Sequence, residues 1–256
     1  MNLSNFDSLS SWGKFFNDDA IWKPIYEDEE LLRQFNEQCL IVEQSANWEK
    51  ERNRDKGTAL EKLMLLVFKR FEIIKEIKRD KLTGDNEVDL YVNLNENIPI
   101  PFINNTNGKI ICECKNMNDK SVDVGMVSKL SELCTSKLSK LGIFVSIRGI
   151  SGRGWIYGEG KRRKLFIETK VPIISFTFEE IKLLAFQGNN FYSMIKRKIQ
   201  ELIDEVEYDG EKLKKIKNTD EYKETILYNI KFLYKIGVIT EIEKNVIKER
   251  LKEVYN

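Results

Sequence analysis

The chain has 256 residues, of which 41% are hydrophobic and 32% charged, a composition typical of a globular protein with one medium domain or two small ones. It contains no histidine, which excludes a Ser-His-Asp triad, a Cys-His dyad, histidine metal ligands and any nuclease mechanism with a histidine base. The net charge is only +1, but residues 142–170 carry seven basic and two acidic side chains, so positive charge is concentrated there.

The first 55 residues predict an acidic helical region. Their apolar side chains recur at helical spacing, at Leu31, Leu32, Phe35, Cys39 and Leu40. We therefore assign residues 1–55 to a helical N-terminal region.

Residues 56–185 alternate between helical and strand patterns and form the predicted core. A helix is predicted from Thr58, because Thr58 and Glu61 fit an S/T-x-x-E capping box. The elements predicted after it are strands at 73–78, 86–92 and 109–114, a helix at 122–140 and a strand at 142–147. Residues 93–108, with two prolines and six asparagines, are predicted to be a long hairpin loop.

A glycine-rich basic stretch at 148–163 precedes two further strands, predicted at 164–168 and 171–176. A second capping box, at Thr177 and Glu180, predicts a helix over 178–186. Residues 186–256 show helical spacing to the end and form a predicted helical C-terminal region. The order of elements predicts an α/β fold with an αβββαβ core and helical extensions.

The segment 109–115, KIICECK, combines apolar and charged residues in strand alternation. Cys112 and Cys114 share one face of such a strand, and Glu113 and Lys115 share the other. A carboxylate and an ammonium group are thus presented together. The alternative is a surface ion pair on an edge strand.

The preceding strand, 86–92, carries Asp89 in a similar alternation. If the two strands pair as a hairpin, Asp89 and Glu113 approach each other, although the long loop leaves the register open. Two close carboxylates suit a divalent cation such as Mg²⁺. A lysine beside them can position a water or stabilise charge on a phosphate.

These residues resemble the motifs of the PD-(D/E)xK nuclease superfamily, namely Glu61, the segment 84–89 (GDNEVD) and Glu113-Cys114-Lys115. The element order resembles the αβββαβ core of that superfamily. Within it, the chain most resembles the Mrr-type restriction endonucleases, through the segment 144–149 (FVSIRG) after the core helix. The resemblance covers residues 56–185, and the Pro-Asp dipeptide of the superfamily name is Val88-Asp89 here.

The resemblance implies that Mg²⁺, or Mn²⁺ in its place, is bound by Asp89, Glu113 and the backbone carbonyl of Cys114. Glu61 would bind the metal or a metal-bound water, and its place in the capping box is an alternative that explains it without catalysis. Lys115 would orient or activate the attacking water.

The implied activity is that of a metal-dependent endonuclease that hydrolyses phosphodiester bonds in DNA, leaves 5′-phosphate ends and serves restriction or anti-phage defence. Two alternatives stay open. The chain is a catalytically inactive nucleic-acid-binding module, or it is a partner-binding subunit of a defence complex.

The basic stretch supplies candidate contacts to nucleic-acid phosphates. These are Arg148, Arg153, Lys161, Arg162, Arg163 and Lys164. Trp155 and Tyr157 lie among them and can stack on bases. The alternative is a solvated loop whose aromatic rings pack on the core.

Targeting and redox signals are few. No C-x-x-C pair occurs among the four cysteines, which argues against a structural zinc site, and no apolar run approaches the ~20 residues of a membrane span. The first residues lack the basic and apolar pattern of a signal peptide. We expect a cytoplasmic protein with reduced thiols. Its expected partners are nucleic acid, foremost DNA, with either a second copy of the chain or a partner subunit, and no membrane.

Overall fold

A computed structural model of the chain describes residues 17–83, 86–98, 100–152, 157–209, 222–235 and 237–254. It divides into two compact units, Met1–Leu202 and Ile203–Asn256. The first unit contains the β-sheet and the helices that cover it. The second contains an α-helical hairpin.

In the first unit, the described helices and strands alternate along the chain. The described elements of the second unit are all helices. In chain order they are α1 (Asp18–Ile21), α2 (Glu29–Ser45), α3 (Asn53–Phe68), β1 (Ile74–Thr83), β2 (Asn86–Leu94), α4 (Pro101–Thr106), β3 (Lys109–Lys115), α5 (Val124–Ser136), β4 (Gly142–Ser146), α6 (Gly158–Thr169), β5 (Ile173–Thr177), α7 (Phe178–Lys182), α8 (Phe191–Asp209), α9 (Tyr222–Lys235) and α10 (Glu241–Val254). Single 3-10 turns lie at Ile25–Glu27, Lys50–Arg52 and Leu183–Ala185.

The sheet has five strands in the order β1-β2-β3-β4-β5. Strands β1, β2 and β3 are antiparallel neighbours, whereas β3, β4 and β5 run parallel. The prediction of an α/β fold is thereby confirmed. Because the last three strands are parallel, their carboxyl ends meet at one edge, where Lys115, Ser146 and Thr177 lie in register.

Apolar clusters cover both faces of the sheet. One packs α2, α3 and the start of α8 on the face that carries Leu90, Cys112 and Cys114. The other packs α5 on the face of Ile111 and Phe144. β3 is therefore buried almost throughout, as expected for a central strand between helical layers.

The face assignment of β2 differs from the expectation at one residue. The sequence predicts that Val88, Leu90 and Val92 share an apolar face, yet Val88 packs in the cluster on the α5 side. Tyr91, expected on the polar face, is buried in that same cluster. Simple alternation predicts that one face of the sheet is exposed to solvent, but helices cover both faces.

Three predicted elements are corrected. Helix α3 begins at Asn53 rather than Thr58, so Thr58 and Glu61 lie inside it and form no capping box. The predicted strand at 164–168, with part of the basic stretch, is the helix α6. The predicted loop at 93–108 contains α4, which begins at Pro101 and ends at Asn107 in the left-handed conformation.

The second predicted capping box is confirmed, since Thr177 and Glu180 form it and open α7. All four cysteines are buried free thiols. Within the described ranges, no helix is both long and apolar enough to cross a membrane.

Candidate active site

The candidate site lies where β2 and β3 part. The antiparallel ladder runs from Asn93 opposite Lys109 to Leu90 opposite Cys112. The next opposing positions in this register are Asp89 and Glu113. Here the acceptor is a side chain instead of a backbone carbonyl: the N–H of Cys114 donates to Asp89 Oδ2 at 2.6 Å. The register that the sequence leaves open thus brings the two predicted carboxylates to the same end of the hairpin.

The ammonium group of Lys115 bridges these carboxylates. Its Nζ lies 2.8 Å from Glu113 Oε2 and 3.7 Å from Asp89 Oδ2. The Lys115 side chain keeps 26% of its surface exposed and that of Asp89 keeps 17%. The group is accessible from solvent on its Asp89 and Lys115 side.

Glu113 is the most enclosed of the three, with 3% of its surface exposed. Burial raises its pKa, the Asp89 carboxylate raises it further, and Lys115 only partly offsets these effects. Its Oε1 is buried and accepts no hydrogen bond from any described residue. A buried carboxylate oxygen without a donor is a place where a proton or a cation stabilises the charge.

Lys115 remains a cation. Burial lowers the pKa of its ammonium group, but the Glu113 and Asp89 carboxylates outweigh burial and raise the pKa above its ordinary value. The two carboxylates therefore favour the protonated form of Lys115.

The backbone carbonyl of Cys114 faces the same gap. The Lys115 carbonyl accepts from the N–H of Ile147, which follows β4, at 3.4 Å. Neighbouring residues of a strand point their backbone groups to opposite sides, and one residue points its N–H and C=O to the same side. Because the Cys114 N–H points to Asp89, its carbonyl also points toward that side of β3.

Glu61 stands apart from this group. It belongs to α3, which packs on the Cys114 face of the sheet, whereas Glu113 follows Ile111 on the other face. Glu61 is 8% exposed, and its Oε2 lies 4.0 Å from Arg79 Nε. Across the described ranges, no set of three or more Cys, Asp or Glu side chains is arranged to hold a metal ion. The structure brings Asp89, Glu113 and Lys115 together, while Glu61 lies on the Cys114 side of the sheet. A hydrogen bond with Cys112 and burial raise the pKa of the Cys114 thiol, and the charges of Asp89 and Glu61 both raise it further.

Asn116 is a further residue at the site, and the sequence analysis does not single it out. It is 9% exposed, and its Nδ2 donates to Ser45 Oγ at 2.9 Å and to the Lys56 carbonyl at 2.7 Å. It thereby ties the end of α2 and the first turn of α3 to the residue after Lys115. Its position directly behind E-x-K is the only signal in the sequence.

The predicted phosphate contacts have different surroundings. Arg148 is exposed two residues after β4. In α6, Arg162 is 7% exposed and pairs with Glu159 at 2.7 Å, which argues against a phosphate contact by Arg162. Lys164 is exposed and lies 3.9 Å from Glu168.

Lys161 and Arg163 are half-buried in α6. Two predicted residues, Arg153 and Trp155, and the motif residues Gly84 and Asp85 lie outside the described residues.

The start of α6 lies near the end of β3. The Val122 N–H donates to the Gly149 carbonyl and the Ser151 N–H to the Val122 carbonyl, so the segments after β3 and β4 are joined. The Glu159 N–H in turn donates to the Ser151 carbonyl. The start of α6 is therefore joined to the segment that follows β3, and Arg148 lies two residues after Ser146, the partner of Lys115 in register.

Comparison of the chain with protein-family models, with curated proteins and with solved structures finds no match.

Proposed function

We propose that the chain is a metal-dependent endonuclease that hydrolyses phosphodiester bonds in DNA. The observation that carries the proposal is the cluster of Asp89, Glu113 and Lys115 at the point where β2 and β3 part. Two carboxylates beside a solvent-accessible strand end can hold a divalent cation, and a lysine next to them can stabilise charge on a phosphate.

The order of the elements around the cluster supports a restriction-endonuclease-like core of the PD-(D/E)xK type. Helix α3 is followed by β1, β2 and β3, then by α5 and β4, with the short α4 inserted between β2 and β3. This is an αβββαβ order, and the cluster lies on its second and third strands, as the resemblance implies.

The donor set fits a hard divalent cation, Mg²⁺ or in its place Mn²⁺. Asp89, Glu113 and the Cys114 carbonyl offer oxygen ligands, and Mg²⁺ is usually held by one or two carboxylates with waters and phosphate oxygens. Glu113 Oε1, which lacks a donor among the described residues, has a lone pair to give. When bound, the cation would supply Lewis-acid polarisation of a phosphate and a more acidic water.

The residues of the chain would divide the remaining work. Lys115, beside Glu113 and Asp89, would orient or activate the attacking water and stabilise negative charge that builds on the phosphate. Asp89 would fix the strand end by accepting from the Cys114 N–H. Glu61, on the Cys114 side of the sheet, would bind the metal or a metal-bound water, as the resemblance implies.

The distribution of charge suits a nucleic-acid substrate, and the choice of DNA rests on the resemblance. Arg148 lies two residues after Ser146, the partner of Lys115 in register, and Lys161 and Lys164 add positive charge on α6. Cations on one face attract a polyanion independently of its sequence. By the resemblance to Mrr-type enzymes, we extend the proposal to restriction or anti-phage defence in the cytoplasm.

A plasmid cleavage assay tests the proposal. The purified chain should nick or linearise plasmid DNA in Mg²⁺ or Mn²⁺ and leave it intact in EDTA. Asp89→Asn and Glu113→Gln should each lose cleavage, whereas Glu132→Gln, a matched change at an exposed carboxylate on α5, should keep it. DNA binding without cleavage under all these metals would instead favour an inactive binding module.

A further inference from the structure

A cleft opens beside Lys115 where the chain leaves β3. Its volume is about 620 Å³, within the range of about 300–1,000 Å³ that ligand pockets occupy. Residues on its walls include Asn53, Lys56, Lys115, Asn116, Asn118 and Lys120. Three of its lining residues are lysines, and one, Asp119, carries a carboxylate, so the cleft favours an anion.

Two of the three lysines are available to a ligand. Lys115 is held by Glu113 and Asp89. Lys56, in the first turn of α3, and Lys120, in the exposed segment after β3, form no ion pair with any residue in the described ranges. A bound anion would supply negative charge that the cleft, with Asp119 as its one lining carboxylate, does not supply to both lysines.

Hydrogen bonds from Asn116 to α2 and α3 hold the walls of the cleft in place. Asn116 lines the cleft, is 9% exposed and fixes the Lys56 carbonyl and Ser45 through its Nδ2. Its Oδ1 is buried and accepts no hydrogen bond from the described residues. Asn116, which directly follows Lys115, thus holds the backbone of Lys56. The position of the cleft is therefore fixed relative to the cluster of Asp89, Glu113 and Lys115.

The start of α3 adds a weaker attraction. Arg52, its N-cap, makes no side-chain capping hydrogen bond, so the first turn of a sixteen-residue helix is left without that acceptor. The helix dipole favours negative charge at such an end, part of which Asp55 in the first turn supplies.

From these observations we propose that the cleft binds the phosphodiester backbone of a polynucleotide strand, with Lys56 and Lys120 on phosphates next to the one that is hydrolysed. The position relative to the hydrolysed phosphate rests on the proposed function. The binding of a polynucleotide backbone rests on the cleft alone. Because the contacts are to phosphates, they would hold the strand without reading its sequence.

The test compares two double variants of the full chain. Lys56→Gln/Lys120→Gln removes the two free cations of the cleft. Lys62→Gln/Lys69→Gln removes two exposed lysines elsewhere on or next to α3, with the same change of net charge. Binding to a short fluorescent DNA duplex is measured in Ca²⁺, with no product formed, over a series of salt concentrations.

Each phosphate contact contributes about 0.9 to the slope of log affinity against log salt. The cleft variant should therefore show a slope shallower by about 1.8. Between about 50 and about 200 mM salt, the wild type should then lose about tenfold more affinity than the cleft variant. The control variant should keep the wild-type slope. Lys120→Gln alone should make the slope shallower by about 0.9. Because Lys120 lies in an exposed segment, this variant controls for a folding defect caused by Lys56→Gln.

A cleft variant with the wild-type slope would overturn the inference, and so would a wild type that binds DNA with no dependence on salt. Competition by AMP distinguishes a site for the phosphate of a mononucleotide from a site for the backbone of a polynucleotide. If AMP displaces the duplex with the affinity of an oligonucleotide, the cleft is a mononucleotide site and the polynucleotide assignment fails.

The same measurements distinguish failure of the proposed nuclease activity from failure of the cleft assignment. A shallower slope in the cleft variant, with no wild-type cleavage in Mg²⁺ or Mn²⁺, would overturn the nuclease and leave the cleft assignment standing. Cleavage by the wild type with no change of slope would overturn only the cleft.

Discussion

Replacing Lys115 by methionine should destabilise the fold, because it removes the cation from a largely buried cluster. Glu113 would lose the donor to Oε2, its Oε1 has none among the described residues, and Asp89 would face it uncompensated. Breaking a buried ion pair by removing one partner costs about 3–5 kcal/mol. Because the Lys115 side chain is 26% exposed, we expect the lower end, about 3 kcal/mol near pH 8.

The cost should depend on pH with a definite sign. Glu113 already has a raised pKa in the folded state, and loss of Lys115 raises that pKa further. A carboxyl whose folded pKa lies above its unfolded value favours folding when protonated, so its contribution is fully present below the unfolded pKa of about 4.3 and is lost as pH rises through the folded pKa. The deficit of Lys115→Met should therefore shrink toward about pH 5 and grow toward about pH 8.

Urea unfolding followed by circular dichroism measures both effects, and a double-mutant cycle isolates the pair. Glu113→Gln should recover much of the stability lost in Lys115→Met, with a coupling energy of about 2 kcal/mol near pH 8. Lys62→Met, an exposed change on α3, should stay within about 0.5 kcal/mol of the wild type. A coupling energy below about 0.5 kcal/mol, or a deficit that is the same at both pH values, would refute the reasoning.

Two further predictions concern stability away from the cluster. Gly158→Ala should cost about 1–3 kcal/mol and lower Tm, because an added Cβ would lie 2.6 Å from Ile150 Cγ2 and 2.9 Å from the Val122 carbonyl oxygen. An unchanged Tm would show that the start of α6 is not closely packed there. Glu180→Gln keeps the capping-box geometry but removes the ion pair with Lys198. Burial alone would raise the pKa of Glu180, but hydrogen bonds from Lys198 and the Thr177 backbone outweigh it and lower the pKa. The cost, about 1 kcal/mol at neutral pH, should disappear as pH falls below the ordinary carboxyl range, and a cost that persists in acid would contradict this explanation.

The strands of the site could be predicted because alternation is a strong signal over short segments. Glu113 and Lys115 alternate with Cys112 and Cys114, and the structure has this strand at Lys109–Lys115. The same alternation predicts that Asp89 lies on the neighbouring strand, β2. What alternation cannot supply is the register across a long connection, which the ladder ending at Leu90 and Cys112 provides.

The errors have physical causes as well. Thr58 and Glu61 satisfy the spacing of a capping box, but a helix that starts earlier satisfies their backbone groups internally. In α6, Leu165, Phe166 and Ile167 are consecutive and show no helical period, so the local pattern favours a strand. Pro101 at the first position of α4 and the left-handed Asn107 behind it are start and stop signals that a loop rich in asparagine obscures.

The place of Glu61 could not be predicted from sequence, because it depends on which side of the sheet each helix covers. Spacing puts Glu61, Asp89 and Glu113 in the order that the resemblance requires. Packing, however, places α3 on the face of Cys114 and leaves Glu113 on the opposite face. Asn116 escapes sequence reasoning for a similar reason, since its partners, Ser45 and Lys56, are distant in sequence.

The most direct test of the central claim measures single-turnover cleavage and DNA affinity for the same Lys115→Met variant. Cleavage is followed in Mg²⁺ and affinity in Ca²⁺, under conditions where circular dichroism shows the variant folded. If Lys115 stabilises charge that develops on the phosphate, its loss should slow cleavage by about 100-fold or more and leave DNA affinity within a few-fold of the wild type. A variant that loses affinity but cleaves at the wild-type single-turnover rate would contradict the catalytic role of this cluster.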